Sequence, residues 1–504
     1  MTLPFKYTGD PFVDVGVATL LAGTEVSSIN DLREDAITAF IEEVTDVYIN
    51  QTMSNYLGTV VFANVNFANP GLNTNPKFDP QRRHQLGVWL SVWKEGAAAF
   101  DRLEKKDRAK IELAREGEGC VFSGDPAVVR VSRTLIPMTG SETAINFVPE
   151  GRPLLPVAGW VLLALLVMPM GTINSGGRIL LAHTADHNLL QKLVKRNLKV
   201  NREAFGWAKQ GSLSKRPNYR FARTQLMSAL LDIDYRASSR YPLTMYHFSS
   251  SGQDAKLTIH TLSSLALRFV KLAKRRYPAA WDAIVARAWS VAKRADERPE
   301  PNDKGEMVDE RRNYFYEDLF DLPTNAGAFL RRYLLRMRAP ANTLTSDKND
   351  PSRSYSPLTD RAAISWDLIT LFLEKVMHME KNRVEAIRKL AERLAIYIQQ
   401  EDPRLYGRLY RDRRPDRVRM ELIRACDRAK SKGLEQLVPY EEYIEAFFVH
   451  EENGYLREDW WLAGDLLLIG IIDHLSADVL ETNRADIENA DQKSMQLEDD
   501  TIIQ

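Results

Sequence analysis

Two histidines stand at either end of the segment HTADH, which runs from His183 to His187. On a helix this spacing would place both imidazoles on one face, where they could bind zinc. A zinc protease with this spacing needs a glutamate directly after the first histidine, and Thr184 occupies that position. A pair of partly exposed histidines is therefore favoured, and a metal-dependent enzyme built on this pair stays open as an alternative function.

The segment from Gln191 to Arg223 combines strong positive charge with aromatic side chains. It holds ten lysines or arginines against a single acid, Glu203. The cations are Lys192, Lys195, Arg196, Lys199, Arg202, Lys209, Lys215, Arg216, Arg220 and Arg223. The aromatic residues between them are Phe205, Trp207, Tyr219 and Phe221. Because cations neutralise phosphates and aromatic rings stack on exposed bases, the segment predicts a nucleic-acid-binding surface.

Two further clusters of cations extend this prediction. The first lies in LRFVKLAKRRYP and contributes Lys274, Arg275 and Arg276. The second lies in RLYGRLYRDRRPDRVR and contributes Arg408, Arg411 and Arg414. Acids within or beside the second cluster (Asp402, Asp412 and Asp416) indicate that part of it is paired.

The segment TINSGGR resembles a turn that cradles phosphate, because consecutive glycines leave backbone N–H groups free for an anion. Its candidate contacts are Asn174, Ser175, Gly176 and Arg178. The segment lacks the spacing and the lysine of a Walker loop, so nucleotide hydrolysis is not predicted. Because the sequence also lacks a convincing nucleophile or metalloprotease motif, we assign no catalytic residue, no metal ligand and no cofactor.

Length, charge and cysteine content limit the classes of protein that remain. A chain of 504 residues exceeds the size at which one core usually stops growing, so more than one domain is expected. The formal net charge is zero, but the charges are segregated along the chain, so the average does not exclude a polyanionic partner. Cys120 and Cys426 are the only cysteines, and no signal peptide is evident, which favours a cytoplasmic location.

Leu154–Ile173 is a run of twenty residues without charge. A membrane helix would need about that length. Prolines and glycines near both ends restrict the helical part to the nine residues Trp160–Met168. The run therefore predicts a short buried helix, and a membrane-associated scaffold remains a further alternative.

Apolar periodicity predicts an α+β fold that is predominantly helical, with a large mixed N-terminal domain and a C-terminal helical bundle. In the N-terminal part we expect a helix over 29–56, a strand over 58–69, a helix over 85–116, and a turn between short strands around 119–132. In the C-terminal part we expect helices over 360–382, 384–400, 414–432, 440–450 and 459–480. The resulting domains are residues 1–338, a Pro- and Ser-rich linker over 339–359, the bundle over 360–482, and an acidic flexible tail over 483–504.

Several segments resemble the Cst-type large subunit of the type I-B CRISPR surveillance complex, Cascade. The segments are YTGDPFVDVGVATLLA, CVFSGDPAV, IPMTGSETAINFVPEGRPLLPVAGWVLLALLVMPMG, GGRILLAH and EDWWLAGDLLLIGIIDHL. Members of that family often carry a zinc finger where CVFSG stands. Ser123 replaces the second cysteine of that motif, so we expect a degenerate insert near 115–135 without zinc.

The resemblance implies a non-catalytic subunit that recognises the protospacer-adjacent motif in double-stranded DNA and supports R-loop formation. Asparagine-rich loops would read base edges, which adds Asn64, Asn66, Asn69 and Asn73 to the candidates. The implied partners are target DNA and its displaced strand, crRNA, and the backbone, crRNA-end-binding and small subunits of Cascade. A defence system would recruit a helicase-nuclease and a transposon-associated system would recruit transposition proteins; the sequence leaves both open. The implied location is a prokaryotic cytoplasm, without membrane attachment.

Overall fold

The computed structural model describes residues 3–62, 79–103, 111–131, 135–138, 154–210, 218–235, 240–250, 256–290, 308–337, 349–449 and 455–499. The chain has an α+β fold that is predominantly helical, as the sequence predicts. It divides into two compact units. The first unit comprises Met1–Ser264 with Arg294–Arg312, and the second comprises Leu265–Lys293 with Asn313–Gln504.

The first unit contains helices and short strands in mixed order. Its helices are α1 (Pro11–Gly23), α2 (Glu34–Ile49), α3 (Gln51–Met53), α4 (Thr59–Val61), α5 (Asp79–Glu95), α6 (Ala97–Phe100), α7 (Gly159–Val167), α8 (His187–Ala208) and α9 (Ala222–Leu231). Its strands are β1 (Glu112–Leu113), β2 (Val129–Val131), β3 (Leu155–Val157), β4 (Ile173–Ser175), β5 (Arg178–His183), β6 (Asn218–Tyr219), β7 (Leu243–Ser249), β8 (Lys256–Leu262) and β9 (Val308–Asp309).

Helix α7 forms the centre of the first unit and confirms the prediction for the uncharged run. All nine of its residues are buried. A helix that is apolar on every side is stable in water only when other elements surround it. Burial of each large apolar side chain contributes about 1.5–3 kcal/mol, so α7 is a major source of stability for this unit.

Two glycines allow the neighbouring helices to approach α7 closely. A Cβ atom on Gly16 of α1 would lie 2.1 Å from the carbonyl oxygen of Ala164 in α7. A Cβ atom on Gly159, at the start of α7, would lie 2.7 Å from the carbonyl oxygen of Val92 in α5. Only glycine permits these approaches, so α1, α7 and α5 form one closely packed layer.

Three sheets accompany these helices. The first is antiparallel with the order β1-β2-β3, and the second is antiparallel with the order β4-β5-β7-β8. The third is a parallel pair, β6 and β9. In the second sheet, the register Ser175↔Arg178 closes a two-residue hairpin between β4 and β5.

The turn between β1 and β2 agrees with the predicted turn between short strands. Cys120 is buried, and its N–H donates to the carbonyl oxygen of Asp125 at 2.7 Å. The Asp125 carboxylate accepts hydrogen bonds from Lys6 at 2.8 Å and from the Trp160 indole at 3.0 Å. Hydrogen bonds therefore hold this loop. Among the described residues, no group of three or more His, Cys, Asp or Glu side chains could hold a metal ion.

Three of the predicted elements in the first unit differ from the structure. The helix predicted over 29–56 begins at Glu34 and is interrupted at Asn50. The strand predicted over 58–69 is wrong for its described part, because Ser54–Gly58 is a π-helical turn and Thr59–Val61 is helical; its remainder lies outside the described residues. The helix predicted over 85–116 begins earlier, at Asp79, and Glu112–Leu113 is a strand. β-branched residues favour strands, but burial of Val60 and Val61 in the core overrides that preference.

The second unit is almost entirely helical. Its helices are α10 (Ser264–Arg276), α11 (Pro278–Arg287), α12 (Tyr314–Asp318), α13 (Ala326–Phe329), α14 (Trp366–Lys375), α15 (Lys381–Gln400), α16 (Leu405–Arg411), α17 (Pro415–Ser431), α18 (Tyr440–Phe447), α19 (Trp460–His474) and α20 (Ala477–Asp499). An aromatic cluster joins several of them: Phe372 meets Phe269 edge-to-face at 5.0 Å and stacks on Phe329 at 5.3 Å.

The C-terminal bundle follows the predicted helices closely, with two differences. Helix α16 was not expected, and the predicted acidic tail continues as helix α20 up to Asp499. Asn483 holds the beginning of this unexpected helical part in place. Its buried side-chain amide donates to the carbonyl oxygen of Pro403 at 2.7 Å and accepts from the N–H of Gly407 at 2.9 Å. These bonds hold α20 against α16.

The division of the chain does not coincide with the predicted linker over 339–359. The structure assigns Leu265–Lys293 and Asn313–Arg336 to the same unit as the bundle. Of the linker, residues 339–348 lie outside the described residues. In the described part, Asp350 is buried and forms an ion pair with Arg332. This part is therefore packed, although its polar composition suggested a linker.

Among the described residues, no helix combines the length and the apolar character needed to cross a membrane.

The close approach of α1 and α7 gives a prediction for stability. Replacing Gly16 with alanine should lower the free energy of unfolding of the first unit by about 1–3 kcal/mol, because the new methyl group must displace a helix backbone. Hydrogen exchange of α7 amides measures this loss. Gly87→Ala in α5 is the matched control: its Cβ meets nothing within 4 Å, and alanine favours helix. Equal protection of α7 in the two variants would contradict the prediction.

Candidate nucleic-acid interface

Helix α8 separates its cations from the core of the first unit. The side chain of Asp186 caps the helix by accepting from the N–H of Leu189 at 3.1 Å. An apolar stripe that includes Leu193 and Leu198 is buried, whereas Lys195 and Lys199 on the other side are exposed. The helical period of the apolar residues therefore turns the charged residues outward.

Asparagines on the buried side of α8 fix its position. The amide of Asn197 donates to the carbonyl oxygen of Gly171 at 3.0 Å. The amide of Asn201 donates to the carbonyl oxygens of Met170 and Thr172, at 2.9 and 2.8 Å. These carbonyls belong to the 3-10 turn that follows α7 and have few other donors within reach. The two asparagines, one helical turn apart, thus attach the basic helix to the central one.

The cations of α8 fall into two groups. Lys195 and Lys199 form no ion pair with any described residue, and their spacing places them on one face. Others are held within the unit: Arg196 with Asp232 at 2.8 Å, Arg202 with Glu43 at 2.7 Å, and Lys192 with the carbonyl oxygen of Asp234 at 2.6 Å. The hydrogen bond that Arg202 donates to the carboxylate of Glu43 raises the pKa of Arg202. Lys195 and Lys199 are therefore the cations of α8's middle turns that are open to a phosphate.

The segment TINSGGR is the hairpin between β4 and β5. Gly176 and Gly177 have φ of 58° and 78°, which is the pattern of a type I′ turn. Asn174 and Ser175, predicted as DNA contacts, are 3% and 0% exposed. Asn174 donates to the carbonyl oxygen of Tyr56 at 2.7 Å, and Ser175 donates to that of Tyr219 at the same distance. In this conformation both side chains hold the hairpin, and they do not face a ligand, because their polar atoms are used inside the protein.

The exposed part of the hairpin lies beside Arg220. A Cβ atom on Gly176 would lie 3.2 Å from the carbonyl oxygen of Arg220, whose side chain pairs with Glu310 at 2.8 Å. Gly176 and Gly177 are exposed, and Arg178 is partly exposed. The hairpin tip therefore combines open backbone with two arginines.

The remaining predicted residues lie in several places. Arg223 donates to the imidazole of His260 at 3.1 Å. Lys274, Arg275 and Arg276 are exposed in the last turn of α10. Asn64, Asn66, Asn69, Asn73, Lys215 and Arg216 lie outside the described residues.

The arginines predicted in the C-terminal bundle take part in ion pairs. The pairs are Arg408 with Asp402 and Glu421, Arg411 with Asp486, and Arg414 with Asp412, at 2.5–2.8 Å. The hydrogen bond from Arg414 lowers the pKa of Asp412. These arginines are less available to a phosphate than the sequence alone indicates, because an acid already balances each one.

An open groove of about 410 Å³ lies at the C-terminal end of α8. Its lining includes Phe205 and Lys209 from α8, Asn50 between α2 and α3, Gln51 at the start of α3, and Arg82 from α5. The sequence pattern predicts Lys209 as a nucleic-acid contact and places Phe205 among the aromatic residues of the same segment. It gives no reason to group these two residues with Asn50, Gln51 or Arg82. These residues are far apart in the chain and carry no shared motif.

His183 and His187 do not share a helix face. His183 is the last residue of β5, whereas His187 is the first residue of α8. The imidazole of His183 lies 3.1 Å from the carboxylate of the buried Asp14, and His187 stacks on Tyr7 with ring centres 3.8 Å apart. The spacing that suggested a zinc site thus belongs to a strand end and a helix start with separate partners.

Comparison of this chain with protein-family models, with curated proteins and with solved structures found no match.

The attachment of α8 gives a second prediction. Asn201→Ala should lower the free energy of unfolding of the first unit by about 1–3 kcal/mol, because two carbonyl oxygens lose their donor in a buried place. Lys199→Ala, on the exposed face of the same helix, should change it by less than about 0.5 kcal/mol. Thermal unfolding of the two variants, followed by hydrogen exchange of α8 amides, measures the difference. If both variants unfold alike, the asparagines do not anchor the helix.

Proposed function

We propose that this chain is a non-catalytic, DNA-binding large subunit of a crRNA-guided Cascade of type I-B, which recognises a protospacer-adjacent motif and supports R-loop formation. The observation that carries the DNA-binding part is the pair of exposed lysines on α8, Lys195 and Lys199, which no described acid neutralises. The Cascade assignment itself comes from the resemblance of sequence segments.

The physical basis for DNA binding is the attachment of these lysines to a rigid element. Helix α8 is held by Asn197 and Asn201 on the backbone that follows α7, so it does not need to be ordered when DNA binds. Each lysine that neutralises a phosphate releases condensed counterions, which favours binding at low salt. The first unit therefore presents a preformed surface to the DNA backbone.

The hairpin tip supports close contact with a DNA groove. Gly176 and Gly177 have no side chains, and the N–H of Gly177 donates to the side-chain oxygen of Asn174 at 3.1 Å. The backbone N–H of Gly176 is therefore the one that can come near a phosphate or a base edge. Arg178 and Arg220 flank them, and Arg220 could exchange Glu310 for a phosphate. In this proposal the hairpin lies next to the motif.

The second unit would support the opened strands. Arg275 and Arg276 at the end of α10 are exposed and form no ion pair with a described residue. The paired arginines of the bundle could bind phosphate only by exchanging their acids, which makes them a weaker support for the proposal. Base pairing with crRNA would read the target sequence, whereas this chain would read the short motif.

The partners in this proposal are crRNA, target DNA and the other Cascade subunits, in a prokaryotic cytoplasm. DNA cleavage or transposition would be the work of a recruited helicase-nuclease or of transposition proteins.

The two open lysines give a test of DNA binding. The double variant Lys195→Gln, Lys199→Gln should weaken binding to duplex DNA and reduce the slope of log K against log salt by about 2, since each lost phosphate contact removes about 0.9. The control is the double variant Lys389→Gln, Arg484→Gln, which removes the same charge from exposed residues that pair with Glu385 and with Glu481. Fluorescence anisotropy over a salt series measures both. An equal change in the two double variants would exclude a specific role for α8.

The Cascade assignment has its own test. A tagged chain, expressed together with its genomic neighbours, should copurify with a short crRNA and with other subunits. If the chain copurifies with neither RNA nor subunits while it still binds DNA, the assignment to Cascade is wrong and DNA binding alone remains.

A further inference from the structure

The groove at the end of α8 has the size and the chemistry of a site for one nucleobase. We infer that it holds an unpaired base of DNA whose strands have been separated, an inference that rests on the proposed function and names a ligand for one part of it. The volume of about 410 Å³ lies within the range of sites for small ligands, and the groove is open to solvent along one side.

Two consecutive amide side chains supply hydrogen-bonding groups to the groove. The oxygen of Asn50 accepts from the N–H of Met53 at 3.0 Å, which leaves its amide nitrogen without an acceptor among the described residues. The amide oxygen of Gln51 is shielded from solvent and has no hydrogen-bond donor. The amide nitrogen of Gln51 donates a long hydrogen bond to Asn55 at 3.4 Å. Because the terminal torsion of glutamine is soft, the oxygen can turn into the groove at the cost of that one exposed bond. Asn50 and Gln51 thus offer a donor beside an acceptor.

A donor beside an acceptor is the complement of a nucleobase edge. An amino group and a ring nitrogen stand side by side on adenine and cytosine, and amide side chains are their usual partners in proteins. The shielded oxygen of Gln51 strengthens the argument, because a buried acceptor without a donor is unfavourable and an amino group would satisfy it.

An aromatic ring and a cation complete the site. Phe205 is partly buried and presents a ring on which a base can stack. Lys209 lies over the face of that ring, with its ammonium group 4.3 Å from the ring centre, and has no acidic partner among the described residues. A base stacks on this face when the flexible lysine side chain moves aside. A phosphate next to a stacked base would meet this lysine.

The acids of the groove argue against a ligand with several phosphates. Asp79 pairs with Arg82 at 3.2 Å inside the groove, and Asp46 pairs at 2.7 Å with Arg83, which lies outside the lining, so each acid is balanced by an arginine. Lys209 then remains as a single uncompensated charge, which suits one phosphate of a strand. A nucleoside triphosphate would need more cations than the groove provides.

The site would act after a base pair opens. A paired base lies inside the duplex, where Phe205 cannot stack on it, so only an extruded base can enter the groove. Binding in the groove would then offset part of the unfavourable unstacking and hold the opened state.

The experiment uses the full chain and two labelled duplexes of one sequence. In one duplex a single 2-aminopurine stands opposite an abasic site and is unpaired; in the other it pairs with thymine. The wild-type chain should bind the first duplex more tightly. Phe205→Ala should lower affinity for the unpaired-base duplex by roughly 5- to 100-fold and leave the paired duplex within about twofold, since stacking acts only on the free base.

Gln51→Ala and Gly206→Ala complete the design. Gln51→Ala should lower affinity for the unpaired-base duplex by about 2- to 10-fold, and it tests the site independently if Phe205→Ala fails to fold. Gly206→Ala is the matched control, because its Cβ meets nothing within 4 Å and it adjoins Phe205 on α8; it should change neither affinity.

The outcomes separate this inference from the proposed function. If the chain binds both duplexes with the salt dependence that Lys195 and Lys199 confer, but Phe205→Ala and Gln51→Ala retain wild-type affinities, the groove is not a base site and DNA binding stands. If the wild-type chain binds neither duplex, both the inference and the DNA-binding proposal fail.

Discussion

The close approach of α1 to α7 is the contact on which the first unit depends. Gly16 lies against the carbonyl of Ala164, where any side chain would collide with backbone. This contact lets α1 and α7 bury their apolar surfaces against each other. Tyr48 adds a buried hydrogen bond to the carbonyl oxygen of Leu166 at 2.8 Å, and its burial raises the pKa of its hydroxyl group. The apolar helix that resembles a membrane segment is in fact the core of this unit.

The position of the basic helix follows from that core. Helix α7 ends in a 3-10 turn whose carbonyls need donors, and Asn197 and Asn201 of α8 supply them. Because these asparagines lie on the side of α8 that is buried, the lysines of the opposite side must face outward. The same turn leads directly into β4 and the glycine hairpin. The need to satisfy these carbonyl groups thus sets the orientation of α8 and of the hairpin, the two elements that we propose to contact DNA.

Ion pairing within the chain decides which of its many lysines and arginines are available to bind a phosphate. The chain has a formal net charge of zero, and most arginines in the bundle lie beside an acid. Exposed ion pairs contribute little stability, about 0–1 kcal/mol each, but they neutralise local charge. Lys195 and Lys199 differ because neither forms an ion pair with a described acid. Local arrangement of charge, and not the number of basic residues, therefore distinguishes the two units.

Much of the local structure could be predicted from the sequence, since periodicity and turn residues act over a few positions. The nine-residue helix within 154–173, the helices of the bundle and the turn before β2 all follow from such patterns. The strand predicted over 58–69 is wrong in its described part because burial in the core outweighs the local preference of Val60 and Val61. Asn174 and Ser175 looked like exposed turn residues, yet their partners, Tyr56 and Tyr219, are distant in the chain.

The sequence by itself determined the fold class, the character of the uncharged run and the concentration of cations between Gln191 and Arg223. Only the tertiary structure decided which of those cations remain open and which residues meet at the end of α8. The groove brings Asn50, Arg82 and Phe205 together from separate parts of the chain. No local sequence pattern predicts this grouping of residues, because it arises from the packing of α2, α5 and α8 around α7.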